Sequence, residues 1–171
     1  MSQLAITVLG HDRPGIIAAT THALGDLGVN IEDSSMTLLR GHFAMTLVTD
    51  GAVGIDEASA ALAFLESDGT LTVTVREMPD EDDVPRGDPY VLSVHGGDRP
   101  GIVARIVGVV ADAGGNVTDL STRLAGGLYV LIAECDFPES ADMAAVHATI
   151  STAANELGVA ASLRAAESDE L

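Results

Sequence analysis

Gly10-His11-Asp12-Arg13-Pro14-Gly15-Ile16 returns 86 residues later as Gly96-Gly97-Asp98-Arg99-Pro100-Gly101-Ile102, and this recurrence decides the fold. The offset holds without a gap from residues 4–50 onto 90–136. It lays Asp26 on Asp112, Gly28 on Gly114, Asn30 on Asn116, Asp33 on Asp119, Ser35 on Ser121 and Gly41 on Gly127, and the apolar positions follow. A self-match of this length marks a duplicated structural unit, so the 171 residues divide into two units of about 80. A unit that small buries a modest share of its surface, which makes docking or oligomerisation a source of added stability.

Outward from the first copy of the motif, residues 4–8 alternate apolar and small polar, the period of a half-buried strand. After the motif, Pro14 suits the first turn of a helix and Asp12 is placed to cap it. Ile16, Ile17, Thr20, Leu24 and Leu27 recur at helical spacing until Gly28 stops them. Residues 30–39 and 42–49 read as strands of a hairpin turning at Arg40-Gly41, with Phe43, Met45 and Leu47 on one face. A second helix is predicted over 56–66, with Ala58, Ala61, Leu62 and Leu65 inward, and a last strand alternates through Leu71, Val73 and Val75. The order strand, helix, strand, strand, helix, strand is the split βαβ, ferredoxin-like arrangement, an α+β fold met twice in tandem.

The stretch 79–89, with three prolines and Asp80-Glu81-Asp82-Asp83, reads as a linker between a unit over 1–78 and one over 90–171. In the second unit the pattern predicts strands at 90–94, 116–124, 128–135 and 159–163 and a helix over 100–113. Its second helix is longer, with a stripe of Met143, Val146, Ile150, Ala154 and Leu157. The acidic tail from Glu167 is expected to fray.

Hydrophobic residues make up 47% of the chain but aromatics only 3%, so the cores must be built from Val, Ile, Leu and Ala. The net charge is −18 and all 8 basic residues are arginine, scattered without a cluster. Direct binding to nucleic acid or to an acidic membrane surface is therefore disfavoured, and the charge reads first as solubility. Cys135 is the one cysteine, so it has no intramolecular disulfide partner, and structural filler is its expected role. The start of the chain has no basic-then-apolar leader and no apolar run nears membrane-spanning length, which gives a cytoplasmic expectation.

The repeated motif carries the functional candidates. First-turn amides of a helix lack intrahelical partners and feel the positive end of its dipole, so they can hold an anion such as a carboxylate. Gly15 and Ile16, and Gly101 and Ile102, would present those amides, with glycine letting a ligand approach closely. Asp12 and Asp98 offer the opposite sign beside them, the pattern an amino acid would meet. Asn30 and Asn116, at the start of the next strand, are expected near the same loop as amide donors and acceptors. Each residue also has a purely structural reading: Asp12 as a cap worth about 1 kcal/mol, Pro14 and Gly15 as loop shapers, Asn30 as a loop fastener. Arg13 and Arg99 are expected mainly to face solvent. The five histidines make no metal-ligand spacing, and no nucleophile elbow or phosphate loop is present, so neither a metal, a cofactor nor catalysis is expected.

The Gly-x-Asp-Arg-Pro-Gly-Ile loop, the asparagine eighteen positions after its Asp, and the strand and helix order together resemble the ACT domain family, twice over nearly the whole chain. The resemblance implies a small regulatory module that binds amino acids or related metabolites, commonly between paired domains, and reports binding to an enzyme or regulator. Carried over, it points to Asp12, Gly15, Ile16 and Asn30 in the first unit and Asp98, Gly101, Ile102 and Asn116 in the second. A homodimer that senses a small amino acid is the expected form. The alternative is an interaction scaffold of ACT units without a ligand.

Overall fold

The computed structural model describes residues 2–79 and 87–166. Most of the predicted linker, and the acidic tail from Glu167, lie outside the described residues. The chain divides into two compact units, Met1–Asp82 and Asp83–Leu171. Unit 1 runs β1 (Ser2–His11), α1 (Ile16–Asp26), β2 (Asn30–Leu39), β3 (His42–Gly51), α2 (Ile55–Leu62) continued by a 3-10 turn (Ala63–Glu66), and β4 (Leu71–Glu77). Unit 2 repeats the order with β5 (Asp88–Gly97), α3 (Ile102–Asp112), β6 (Asn116–Ala125), β7 (Leu128–Phe137), α4 (Met143–Leu157) and β8 (Val159–Ala165). Each unit forms a four-stranded antiparallel sheet, ordered β2-β3-β1-β4 and β6-β7-β5-β8, which is the ferredoxin-like topology.

The sequence period is also a period of backbone pairing. Ser2 opposes Gly51 as Asp88 opposes Phe137, and His11 opposes His42 as Gly97 opposes Leu128. A bulge interrupts β2 between Ile31 and Asp33 and β6 between Val117 and Asp119, at corresponding positions. The hairpins turn through two left-handed residues in both units, Arg40 (φ 51°) with Gly41 (φ 85°) and Gly126 (φ 58°) with Gly127 (φ 83°), the mirror turn whose twist suits a two-residue hairpin.

Alternation along β1 and β3 sends Leu4, Ile6, Val8, Phe43, Met45 and Leu47 into the unit 1 core, where α1 adds Ile16 and Leu24 and α2 adds Ala58 and Leu62. Two threonines are buried there, both satisfied: Thr20 Oγ1 donates to the Ile16 carbonyl (2.8 Å) and Thr49 Oγ1 to the Leu4 carbonyl (3.3 Å). In unit 2 the stripe of α4 packs Val146, Ile150 and Ala154 against Leu92, Val94, Ile106 and Leu131, with Met143 and Leu157 partly buried at its ends.

Three local expectations need correction. Ile17 is 44% exposed, because the inward stripe of α1 narrows to Ile16, Thr20 and Leu24. The second helix of unit 1 is α-helical only over Ile55–Leu62 before tightening into the 3-10 turn. β5 begins at Asp88, so the predicted linker runs two residues too far. Pro89 is tolerated because β8 reaches only Tyr90 in the ladder, and beyond it the Pro89 carbonyl accepts from Ala166 N (2.9 Å), which needs no donor from proline. Arg13 and Arg99 are exposed, as expected, and each also reaches a neighbour within its own unit. Arg13 reaches the Leu65 carbonyl (3.5 Å) and Asp68 (3.6 Å), and the Arg99 guanidinium lies where a Cβ on Gly158, the residue closing α4, would meet it.

Candidate functional site

The β1–α1 and β5–α3 loops are built alike. Gly15 (φ 93°) and Gly101 (φ 90°) occupy the N-cap positions of α1 and α3 in the left-handed region, and neither helix has a side-chain cap. Asp12 is therefore not the helix cap, nor is Pro14 within the first helical turn. The left turn at glycine starts the helix three residues later than a capping aspartate would, and the Asp12 amide instead donates to the Gly41 carbonyl (3.1 Å), tying the loop to the hairpin turn.

The first intrahelical bonds are Ala19 N to the Gly15 carbonyl and Arg105 N to the Gly101 carbonyl, both 2.9 Å. Amides ahead of them, from Ile16 and Ile102 onward, have no acceptor within their own helices. A Cβ added at Gly15 or Gly101 would meet nothing within 4 Å, so the space beside each glycine is open. Asp12 and Asp98 are exposed beside them. Ile16 and Ile102 send their side chains into the two cores, 1% and 2% exposed, and have only backbone to offer a ligand. Both arginines reach the far end of the second helix in their own units.

Asn30 and Asn116 are exposed but not near these loops, which overturns the expectation of proximity within a unit. Asn30 opposes Asp50, and Asp50 opposes Gln3 at the start of β1, whereas the loop leaves from His11 at its other end. Asn116 opposes Asp136 in the same way. A ten-residue strand separates the two ends by about 30 Å. Within one unit, Asp12, Gly15 and the Ile16 amide come together, Asp98, Gly101 and the Ile102 amide likewise, and the asparagines stand apart.

Gly10 has a role that the motif alone does not announce. A Cβ there would overlap the Thr70 carbonyl oxygen where β4 begins, and one on Gly96 would come within 2.8 Å of Val159 Cγ1 where β8 begins. The first motif glycine is thus required by the close approach of the closing strand. Cys135 is buried on β7, and burial, followed by the neighbouring Asp136 charge, pushes its thiol up from its ordinary value. A cavity of about 360 Å³ lies between α3 and α4, with Val109 and Val146 in its lining and Asp112, Asp142 and Arg105 around them. Arg105 is held there by Glu156 at 3.0 Å. Among the described residues no group of three or more His, Cys, Asp or Glu is placed to hold a metal ion, and no helix is long and apolar enough to cross a membrane.

A family model described as the ACT domain matches the chain twice, over residues 2–75 and 88–164. A UPF0237 protein of Methanopyrus kandleri is 38% identical over 68 residues, covering 40% of this chain and 71% of that protein. The glycine cleavage system transcriptional repressor of Escherichia coli is 26% identical over 170 residues, covering 94% of this chain and 88% of that protein. Among solved structures, an unknown protein from Galdieria sulphuraria superposes with a TM-score of 0.81 at 28% identity, covering 96% of this chain and 98% of that one.

Proposed function

The chain belongs to the ACT domain family, and from that premise we propose that it is a non-enzymatic regulatory protein that binds a small amino acid or related metabolite at its β1–α1 and β5–α3 loops and relays occupancy to a protein partner, a regulator or an enzyme. The observation that carries this reading is the pair of glycine-capped helices, each with no side-chain cap on its first-turn amides and an exposed aspartate just before them. An α-amino acid brings a carboxylate for the amides and an ammonium for Asp12 or Asp98. The near full-length relative named for glycine cleavage directs attention to glycine and its metabolic neighbours.

In this reading Asn30, at the far end of the sheet, has a different part. It can complete a cage around the loop of a second copy, not of its own unit, and a homodimer is the form that brings the two together. A ligand closing such a cage favours the paired state by its difference in affinity for the two arrangements. The edge strands β2 and β6 leave ladder groups for such pairing.

Thermal unfolding against glycine, serine and the branched-chain amino acids tests this reading. At about a hundred times its dissociation constant a ligand adds roughly 2.7 kcal/mol, a shift of several degrees. Asp12→Ala and Asn30→Ala should each weaken the shift, and mixing the two variants should restore part of it, since one of the two shared sites in the mixed dimer is intact. A scaffold without ligand is the second reading, favoured by Met36, Leu38, Leu120 and Leu124, which are 40–48% exposed on the edge strands. No shift from any amino acid would decide for it.

A further inference from the structure

Pairing in unit 1 brings together two histidines that lie far apart in the sequence. His11 ends β1 and His42 begins β3, and they are directly opposed. The next pair along is Asp12 and Gly41, and the Asp12 amide donates to the Gly41 carbonyl at 3.1 Å. Pairs in an antiparallel ladder alternate, so His11–His42 is a non-hydrogen-bonded pair, the kind with Cα atoms about 4.5 Å apart and side chains closest on one face. Phe43, next to His42, is in the core, which puts both imidazoles on the sheet face away from the helices, and both residues are exposed.

We propose that His11 and His42 form a two-imidazole chelate for a divalent first-row transition-metal ion, with water in the remaining positions. Imidazole suits zinc, copper and nickel, and bonds of about 2.0–2.1 Å to one ion are within reach of two rings carried on such neighbouring Cβ atoms. The pair is held before the ion arrives: the left-handed turn at Arg40-Gly41 and the bond from Asp12 to Gly41 fix the ends of both strands. The net charge of −18 favours a cation on the chain as a whole, against Arg40 in the turn. The site stands on unit 1 alone. Unit 2 carries Gly97 and Leu128 at the matching pair.

The test is titration of the untagged full-length chain with zinc chloride, followed by calorimetry and by the imidazole resonances in NMR. One ion per chain should bind, moving His11 and His42 and leaving His22, His95 and His147 in place. His11→Gln and His42→Gln should each weaken binding by more than the ~10–100-fold that loss of an outer-shell partner costs. Leu128 is exposed and a Cβ on Gly97 would meet nothing within 4 Å, so the double substitution Gly97→His with Leu128→His should create a second site in unit 2. No saturable binding, movement of the other three histidines instead, or binding that survives His11→Gln in a chain with an unchanged circular dichroism spectrum would overturn the proposal.

Discussion

Where unit 1 buries Thr20 on its first helix, unit 2 buries Ile106 at the matching position, and where unit 1 buries Thr49 on β3, unit 2 buries Cys135 on β7. The backbone around each pair is the same, down to the ladder register and the bulge in the edge strand. Both threonine hydroxyls reach a carbonyl, so neither is an orphan, but each replaces apolar volume with a bond whose net worth is about 1 kcal/mol. The second helix differs as well: α2 spans 8 residues with glycine at its N-cap, while α4 spans 15 with the Asp142 carboxylate accepting from Ala145 N at 3.1 Å. Duplication preserved the loops and the pairing and left the cores free to diverge, and unit 2 is accordingly expected to be the more stable.

Hydrogen exchange resolved by unit gives this comparison sharp tests. The largest effect is expected from Gly10→Ala. Its methyl would overlap backbone of Thr70, so unit 1 should lose on the order of 3 kcal/mol or more of protection, whereas Gly96→Ala should cost less because its nearest obstacle is the Val159 side chain. Equal losses would show that the two closing strands are equally rigid.

Ile106→Thr places the unit 1 residue in unit 2, and should cost about 2 kcal/mol there through lost apolar volume, even with its hydroxyl bonded back along the helix. A loss near zero would remove the core difference as a source of unequal stability. Asp142→Ala should cost about 1 kcal/mol in unit 2, and Gly54→Ser, at an extended N-cap with open space around it, should return a few tenths to unit 1.

The smallest effect concerns Asp68 of unit 1. The Thr70 hydroxyl (2.7 Å) and the Thr70 amide (2.9 Å) donate to its carboxylate and, with Arg13 nearby, hold it below the ordinary aspartate value. A folded-state value that is depressed contributes stability above the unfolded-state value and loses it as pH falls through the folded one. Unit 1 should therefore shed this increment at the acid end of the aspartate range, and Asp68→Asn should abolish that part of its pH dependence, read by the same exchange experiment at falling pH.

The repeated motif, the alternation of residues 4–8 and the hairpin glycines made the fold legible, because each is a local pattern with one physical meaning. The helix start escapes such patterns for a related reason. Aspartate before a helix is a strong local cap signal, whereas Gly15 acts through a left-handed turn that depends on where the chain enters. The position of Asn30 was available in principle: an 11-residue helix rises about 16 Å, so the strand that follows it must begin at the end of the sheet away from the loop. Arg13 reaching Leu65 and Asp68, and His11 opposing His42, depend on pairings across tens of residues that no local pattern encodes.

Cys135 has a consequence for how the chain can be watched at work. It is the single thiol of the sequence and it is 1% exposed, sealed beneath the helices of unit 2, while unit 1 carries none. A thiol reagent can reach it only when unit 2 opens. Labelling rate is thus a built-in clock for the opening of one half of the molecule, silent to events confined to the other. Any ligand that slows that clock must tighten unit 2.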